Sequence, residues 1–199
     1  MATKFTLDEA EKYEGARGPS RRMLASQDGL VAAKIESVTE KGLSSNNNLM
    51  LTVRLGTVDD DPGMNNVVLF RNIVVSGTDT RGNKNVQQLY SFMESAGSTK
   101  QQIIASAGKS VDADDLNKTY SNRTCYVQIR AKTYNGKESS EVAGFISQDA
   151  YTQEAKAGNH RQNHVFGKGA AGAIAPTNGA AAVSAPAIAP VESSSDLSL

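Results

Sequence analysis

With a single cysteine, Cys125, the chain cannot form an internal disulfide. Tryptophan is absent and aromatics make up only 6% of the 199 residues, which with 39% hydrophobic residues supports one modest core rather than two. No apolar run approaches the roughly 18 residues of a membrane span. Met1 to Asp8 lacks the basic start and apolar stretch of a secretory signal. The expectation is an intracellular protein with no membrane partner, in which the glycosylation patterns Asn117-Lys118-Thr119 and Asn122-Arg123-Thr124 are chance matches. Excess charge is missing too: 21 basic side chains face 21 acidic ones. The balance holds by segment, with 5 and 5 in residues 1–28, 13 and 13 in 29–150, and 3 and 3 in 151–199. A basic domain is the simplest footprint of nucleic-acid binding. Any electrostatic case here rests on placement.

Catalytic and metal chemistry is equally thin, and no enzyme, metal or cofactor is expected. The only histidines, His160 and His164, are four apart, but a zinc site needs more ligands and only Glu154 is near in sequence. Cys125 sits in an alternating apolar series and has no histidine within the predicted fold to activate it. Asp59-Asp60-Asp61 and the group Asp112, Asp114, Asp115 lack the spacing of a calcium loop and read as solvated turns. Gly167 to Gly172 spells a dinucleotide fingerprint, yet no strand precedes it, so the match is compositional.

What is present is strand pattern. Thr6-Leu7-Asp8-Glu9 spells a capping box and predicts a short helix to about Tyr13. Gly15 to Arg22 then forms a loop or arm carrying Arg17, Arg21 and Arg22. From Leu30 the pattern turns to strand: Val31, Ala33 and Ile35 alternate, and so do Leu49, Leu51, Val53 and Leu55. Asp59 to Gly63 is a strong turn, and Val67 to Val75 reads as a third strand, apolar on both faces. Val86, Leu89, Tyr90 and Met93 follow helical spacing up to a stop at Gly97. Ile103 and Ile104 suggest a second short helix, and Asp112 to Leu116 a loop or another helix start. Alternation returns with Cys125, Val127, Ile129 and Ala131, and Asn135-Gly136 is a two-residue hairpin signal ahead of a return strand, Ser139 to Ile146. Three strands, a helical insert and a hairpin fit a mainly β, five-stranded barrel of the oligonucleotide-binding (OB) type. A small sandwich or an α+β domain fits the same pattern. Beyond about Gln153, alanine, glycine and proline dominate and cannot offset the entropy of ordering. The expected organisation is therefore an N-terminal helix and basic arm (1–28), a binding domain (29–152) and a disordered tail (153–199).

If Cys125, Val127 and Ile129 face inward, then Tyr126, Gln128, Arg130, Lys132 and Tyr134 share the opposite face. Two phenol rings interleaved with cations suit single-stranded nucleic acid, because rings stack on any base and cations follow phosphates. Arg54 lies opposite the Leu51/Val53/Leu55 face, and Arg71 adds to the same surface. Arg81 and Lys84, with the arm's arginines, would extend a phosphate track. A solvated sheet face carries the same residue types, and the stripe alone does not separate the two readings.

From about Leu30 to Ile146 the chain resembles a group of small bacteriophage single-stranded DNA-binding proteins of the OB fold. The likeness lies in layout. Asn48-Leu49-Met50-Leu51-Thr52-Val53-Arg54-Leu55 is followed by Val68-Leu69-Phe70-Arg71-Asn72 and a helix with Leu89, Phe92 and Met93. Then Asn122-Arg123-Thr124-Cys125-Tyr126-Val127 leads to Thr133-Tyr134-Asn135-Gly136-Lys137, and Val142-Ala143-Gly144-Phe145 closes. The resemblance implies a non-enzymatic protein of the host-cell cytoplasm, binding single-stranded DNA without sequence preference in phage replication, recombination or repair. Tyr126, Tyr134 and Phe70 would stack on bases, and Arg54, Arg71, Arg130 and Lys132 would meet phosphate. The tail is similar in plan to tails that recruit replication or recombination proteins, here through Asp196, Leu197 and Leu199, although the dense acidic run and terminal aromatic are absent. Self-association is compatible with this reading. The alternative is a protein-binding or virion-associated module on the same fold.

Overall fold

The period-two runs fold as strands of one antiparallel sheet. The structure is a computed structural model and describes residues 2–16, 28–58, 67–78, 85–135 and 137–157. In chain order the elements are β1 (Phe5–Thr6), a 3-10 turn (Ala10–Lys12), β2 (Asp28–Leu43), β3 (Leu49–Thr57), β4 (Val68–Val74), α1 (Gln87–Ser95), α2 (Lys100–Ile104), β5 (Ser110–Val111), α3 (Ala113–Tyr120), β6 (Thr124–Tyr134), β7 (Lys137–Ile146) and α4 (Gln148–Lys156). The main sheet has five strands in the order β4-β3-β2-β6-β7, antiparallel throughout. With the helices of the insert between β4 and β6, this is the expected OB-like, mainly β architecture: a curled half-barrel. The Asn135 corner of the β6–β7 hairpin has φ 51, the left-handed backbone that asparagine tolerates.

The curl has a local cause. Register breaks between Ile35 and Ser37, and again between Glu40 and Gly42, leave Glu36 and Lys41 as extra residues in β2. A further break opposite Gln128 and Ile129 leaves Ala143 extra in β7. Each such bulge bends its strand and raises its twist. The bend brings β4 round toward β7, where the Arg71 Nη1 group donates to the Val142 carbonyl at 2.9 Å. Helix α1 closes the opening, touching β4, β6 and β7. Its Leu89, Tyr90 and Phe92 are fully buried. Phe92 meets Tyr120 and Phe145 edge-on, with centroids 5.4 and 5.2 Å apart. Gly97, at φ 94, stops the helix as its position suggests.

The N-terminus departs from expectation. The Thr6–Glu9 capping box does not form: Phe5 and Thr6 pair with Val111 and Ser110 as a two-stranded sheet. Glu9 sits at φ 56, and only a 3-10 turn follows. Tertiary burial overrides the local signal, because Leu7, Ala10 and Tyr13 join the main core. The Tyr90 hydroxyl donates to the Asp8 carbonyl at 2.6 Å, and that of Tyr13 to Glu94 at 2.7 Å. The boxes that do form are Thr99 with Gln102 and Asp112 with Asp115, at the starts of α2 and α3. Of the two readings offered for Asp112 to Leu116, a loop or a helix start, the structure takes the second. Helix α4, absent from the sequence reading, runs to Lys156, across the point where the composition changes. No helix among the described residues is long and apolar enough to cross a membrane. The arm with Arg17, Arg21 and Arg22, the Asp59–Gly63 turn, Arg81, Lys84, and the tail beyond residue 157 lie outside the described residues.

Candidate nucleic-acid interface

Alternation gives each strand of the curl an inner and an outer row. Cys125, Val127 and Ile129 point inward and are buried, so Tyr126, Gln128 and Arg130 occupy the convex outer face of β6. Burial pushes the Cys125 thiol up to about 12, which keeps it protonated and inert. On β3 and β4, Arg54 and Phe70 are directly opposed in register on the same convex face. Phe70 is 59% exposed, and the Arg54 guanidinium lies 6.0 Å from its ring centre. An exposed ring beside a cation is the basic unit of a base-and-phosphate site. Across the sheet, strand spacing and register put Phe70 and Tyr126 roughly 20 Å apart.

Two features temper the cations. Arg54 Nε pairs with Glu36 Oε2 at 2.5 Å, and Glu36 is one of the extra residues in β2. Arg130 faces Glu141 across the β6–β7 register. Arg71, expected on this surface, is on the other side. It alternates with the buried Leu69 and Ile73 on the inward row of β4. There it bonds the Val142 carbonyl and lies 3.4 Å from Gln88 Oε1. Burial lowers its pKa from the ordinary value, with Glu141 opposing that shift. It is a closing residue of the barrel, not a phosphate contact on the convex face. The inward row of β4 was readable from Leu69 and Ile73, but the run's overall apolarity masked it.

The β6 half of the face is partly covered, which the sequence did not reveal. Leu30 and Ile146 form a small outer cluster with Tyr126 and Tyr151, the latter from α4. The rings of Tyr126 and Tyr151 lie 4.7 Å apart at 34°. Gln128, expected to be solvated, is 4% exposed, and its amide nitrogen has no hydrogen-bond partner among the described residues. Opposite it stands Gly144, where a side chain would meet nothing within 4 Å. The signal that could have found α4 is Ser147, whose hydroxyl accepts the Ala150 N–H as an N-cap, followed by helix-forming Gln, Ala and Glu residues. The side chains of Lys132 and Tyr134, and the tail residues Asp196, Leu197 and Leu199, lie outside the described residues.

Elsewhere, a cleft of about 520 Å³ runs along the helical insert, lined by Leu7, Met93, Lys109, Leu116, Tyr120 and Arg123 among others. The Tyr120 hydroxyl is tied to Ser98 at 2.8 Å, and Arg123 lies over the Tyr120 ring. Among the described residues, no group of three or more His, Cys, Asp or Glu side chains is placed to hold a metal ion. No family model matches the sequence, and no curated protein matches it.

Proposed function

We propose that the protein is a non-enzymatic binder of single-stranded DNA that uses the convex face of its half-barrel. The observation that carries this reading is the exposed Phe70 ring beside Arg54, on the same outer face as Tyr126 and Arg130. Phe70 and Tyr126 stack on bases, and Arg54 and Arg130 follow phosphate. Stacking needs no particular base, so recognition is independent of sequence. The charge balance and the Arg54–Glu36 pair make stacking the larger contribution and the salt dependence shallow. The role that fits is coating single strands in phage replication, recombination or repair within the host cytoplasm, with Asp196, Leu197 and Leu199 recruiting partner proteins.

The Arg54–Glu36 pair favours a second reading, in which the Phe70 patch docks a protein partner that has no need of free cations. Anisotropy of a fluorescein-labelled oligothymidine at low salt separates the two. Binding that weakens gently with salt supports the first; no binding at low salt overturns it and leaves the second. Parallel titrations with RNA and duplex DNA define the preferred strand.

A further inference from the structure

We infer that helix α4 is a displaceable lid over the β6 half of the convex face, and that a base of a bound single strand takes the place of Tyr151 on the Tyr126 ring. The inference rests on the single-stranded DNA reading and adds a gate to it.

Three observations carry it. First, α4 buries little of itself: none of its nine side chains is buried, whereas the eight-residue α3 buries three. A helix this short has little stability of its own and depends on what its face packs against. Second, its ring contact with the sheet is the one a base would make. Tyr151 lies on Tyr126 with centroids 4.7 Å apart, within the range of stacked aromatic pairs. Tyr151 therefore occupies the platform, and a base must displace it. Third, the covered face holds an unmet polar group. Gln128 follows Tyr126 on the outer row, and its buried amide nitrogen has no partner among the described residues. A buried donor without an acceptor is destabilising and asks for an explanation. The lid, as inferred, extends over Gln128 as well; once it is raised, that donor can reach a base carbonyl or water, and the open space at Gly144 lies beside it. The hinge is at hand: Ser147 alone separates β7 from α4.

A closed lid lowers apparent affinity by the fraction of molecules that are open. Tyr151→Ala removes the occupant and leaves the platform. Gln153→Pro unsettles the helix at a position away from the Tyr126 contact. Both variants, with wild type, are titrated with fluorescein-labelled oligothymidine. Hydrogen exchange of the α4 amides is followed in wild type with and without saturating oligothymidine. The lid predicts about five- to tenfold tighter binding by both variants, and faster exchange of α4 in the wild-type complex. If wild type binds, the variants bind no tighter and α4 exchange is unchanged or slowed, the lid is overturned and the DNA reading stands. Weaker binding by Tyr151→Ala makes the helix part of the site and also overturns the lid. If neither wild type nor variants bind at low salt, the DNA reading falls, and with it a gate that has nothing to admit.

Discussion

The two faces of one sheet follow different rules. On the inner face, Val53, Leu55, Cys125 and Val127 are wholly buried, and the aromatic contacts of Phe92 tie helix α1 to α3 and β7. On the outer face, one residue further along the same strands, Arg54 is half exposed and Tyr126 is partly covered by Tyr151 of α4, and Phe70 on β4 lies open. Burial of the inner row supplies the free energy of folding. Away from the small cluster of Leu30, Ile146, Tyr126 and Tyr151, the outer row contributes little to it and is left open to contacts with something else. The lesson is that the residues whose burial the fold does not require are the ones left available for binding.

That contrast is open to breakage from either side. The largest effect is expected on the inner face: Phe92→Ala removes a fully buried ring and its two edge contacts, and should cost about 3–5 kcal/mol in urea unfolding. A loss below about 1 kcal/mol would mean that the inner face does not carry the fold. The same side predicts an alkaline limit. Burial raises the phenol pKa values of Tyr13 and Tyr90 in the folded state, Tyr13 also through its bond to Glu94. Because the folded values lie above the unfolded value near 10, this stability is intact below pH ~10 and drains away as pH rises toward the folded values. The slope is about 1.4 kcal/mol per pH unit for each phenol. Urea midpoints measured from pH 9 to 11.5 check it, and a flat profile would refute it.

On the outer face the expected order reverses. Phe70→Ala should change stability by less than about 1 kcal/mol, Tyr126→Ala by somewhat more because its ring packs on Leu30, Ile146 and Tyr151, and each should weaken oligothymidine binding by roughly 1–3 kcal/mol per stacked base lost. Paired unfolding and anisotropy titrations test both halves, and a stability loss matching the binding loss would erase the contrast. The smallest effect belongs to Glu36→Gln, which releases Arg54 from its pair. Binding should tighten about two- to threefold, the salt slope should steepen by up to about 0.7 for one added phosphate contact, and the urea midpoint should hardly move.

How much of this could be read beforehand follows from the same physics. Strand alternation at Leu49–Leu55 and Cys125–Ile129 was legible because one buried face imposes a strict period of two. The helix at Val86–Met93 and its stop at Gly97 were legible for the same kind of reason. Capping boxes were not, because an identical local pattern forms at Thr99–Gln102 and fails at Thr6–Glu9, where pairing with β5 and burial of Leu7 win. Of the candidate site, Tyr126, Arg130, Arg54 and Phe70 fall on the expected convex face. Arg71 does not, because the closure of β4 onto β7 is a long-range event that no short window records. Neither the Glu36 pairing nor the cover by Tyr151 could be read locally: the first needs the bulge in β2, the second the fold-back of α4.

The claim that the convex face receives single-stranded DNA is tested most directly by crosslinking. Irradiation of the full chain with an oligonucleotide carrying 5-bromouracil, followed by peptide mass spectrometry, should place adducts on Phe70 and Tyr126. Adducts confined to the helical insert around Lys109 and Arg123, or none at saturating oligonucleotide, would contradict it.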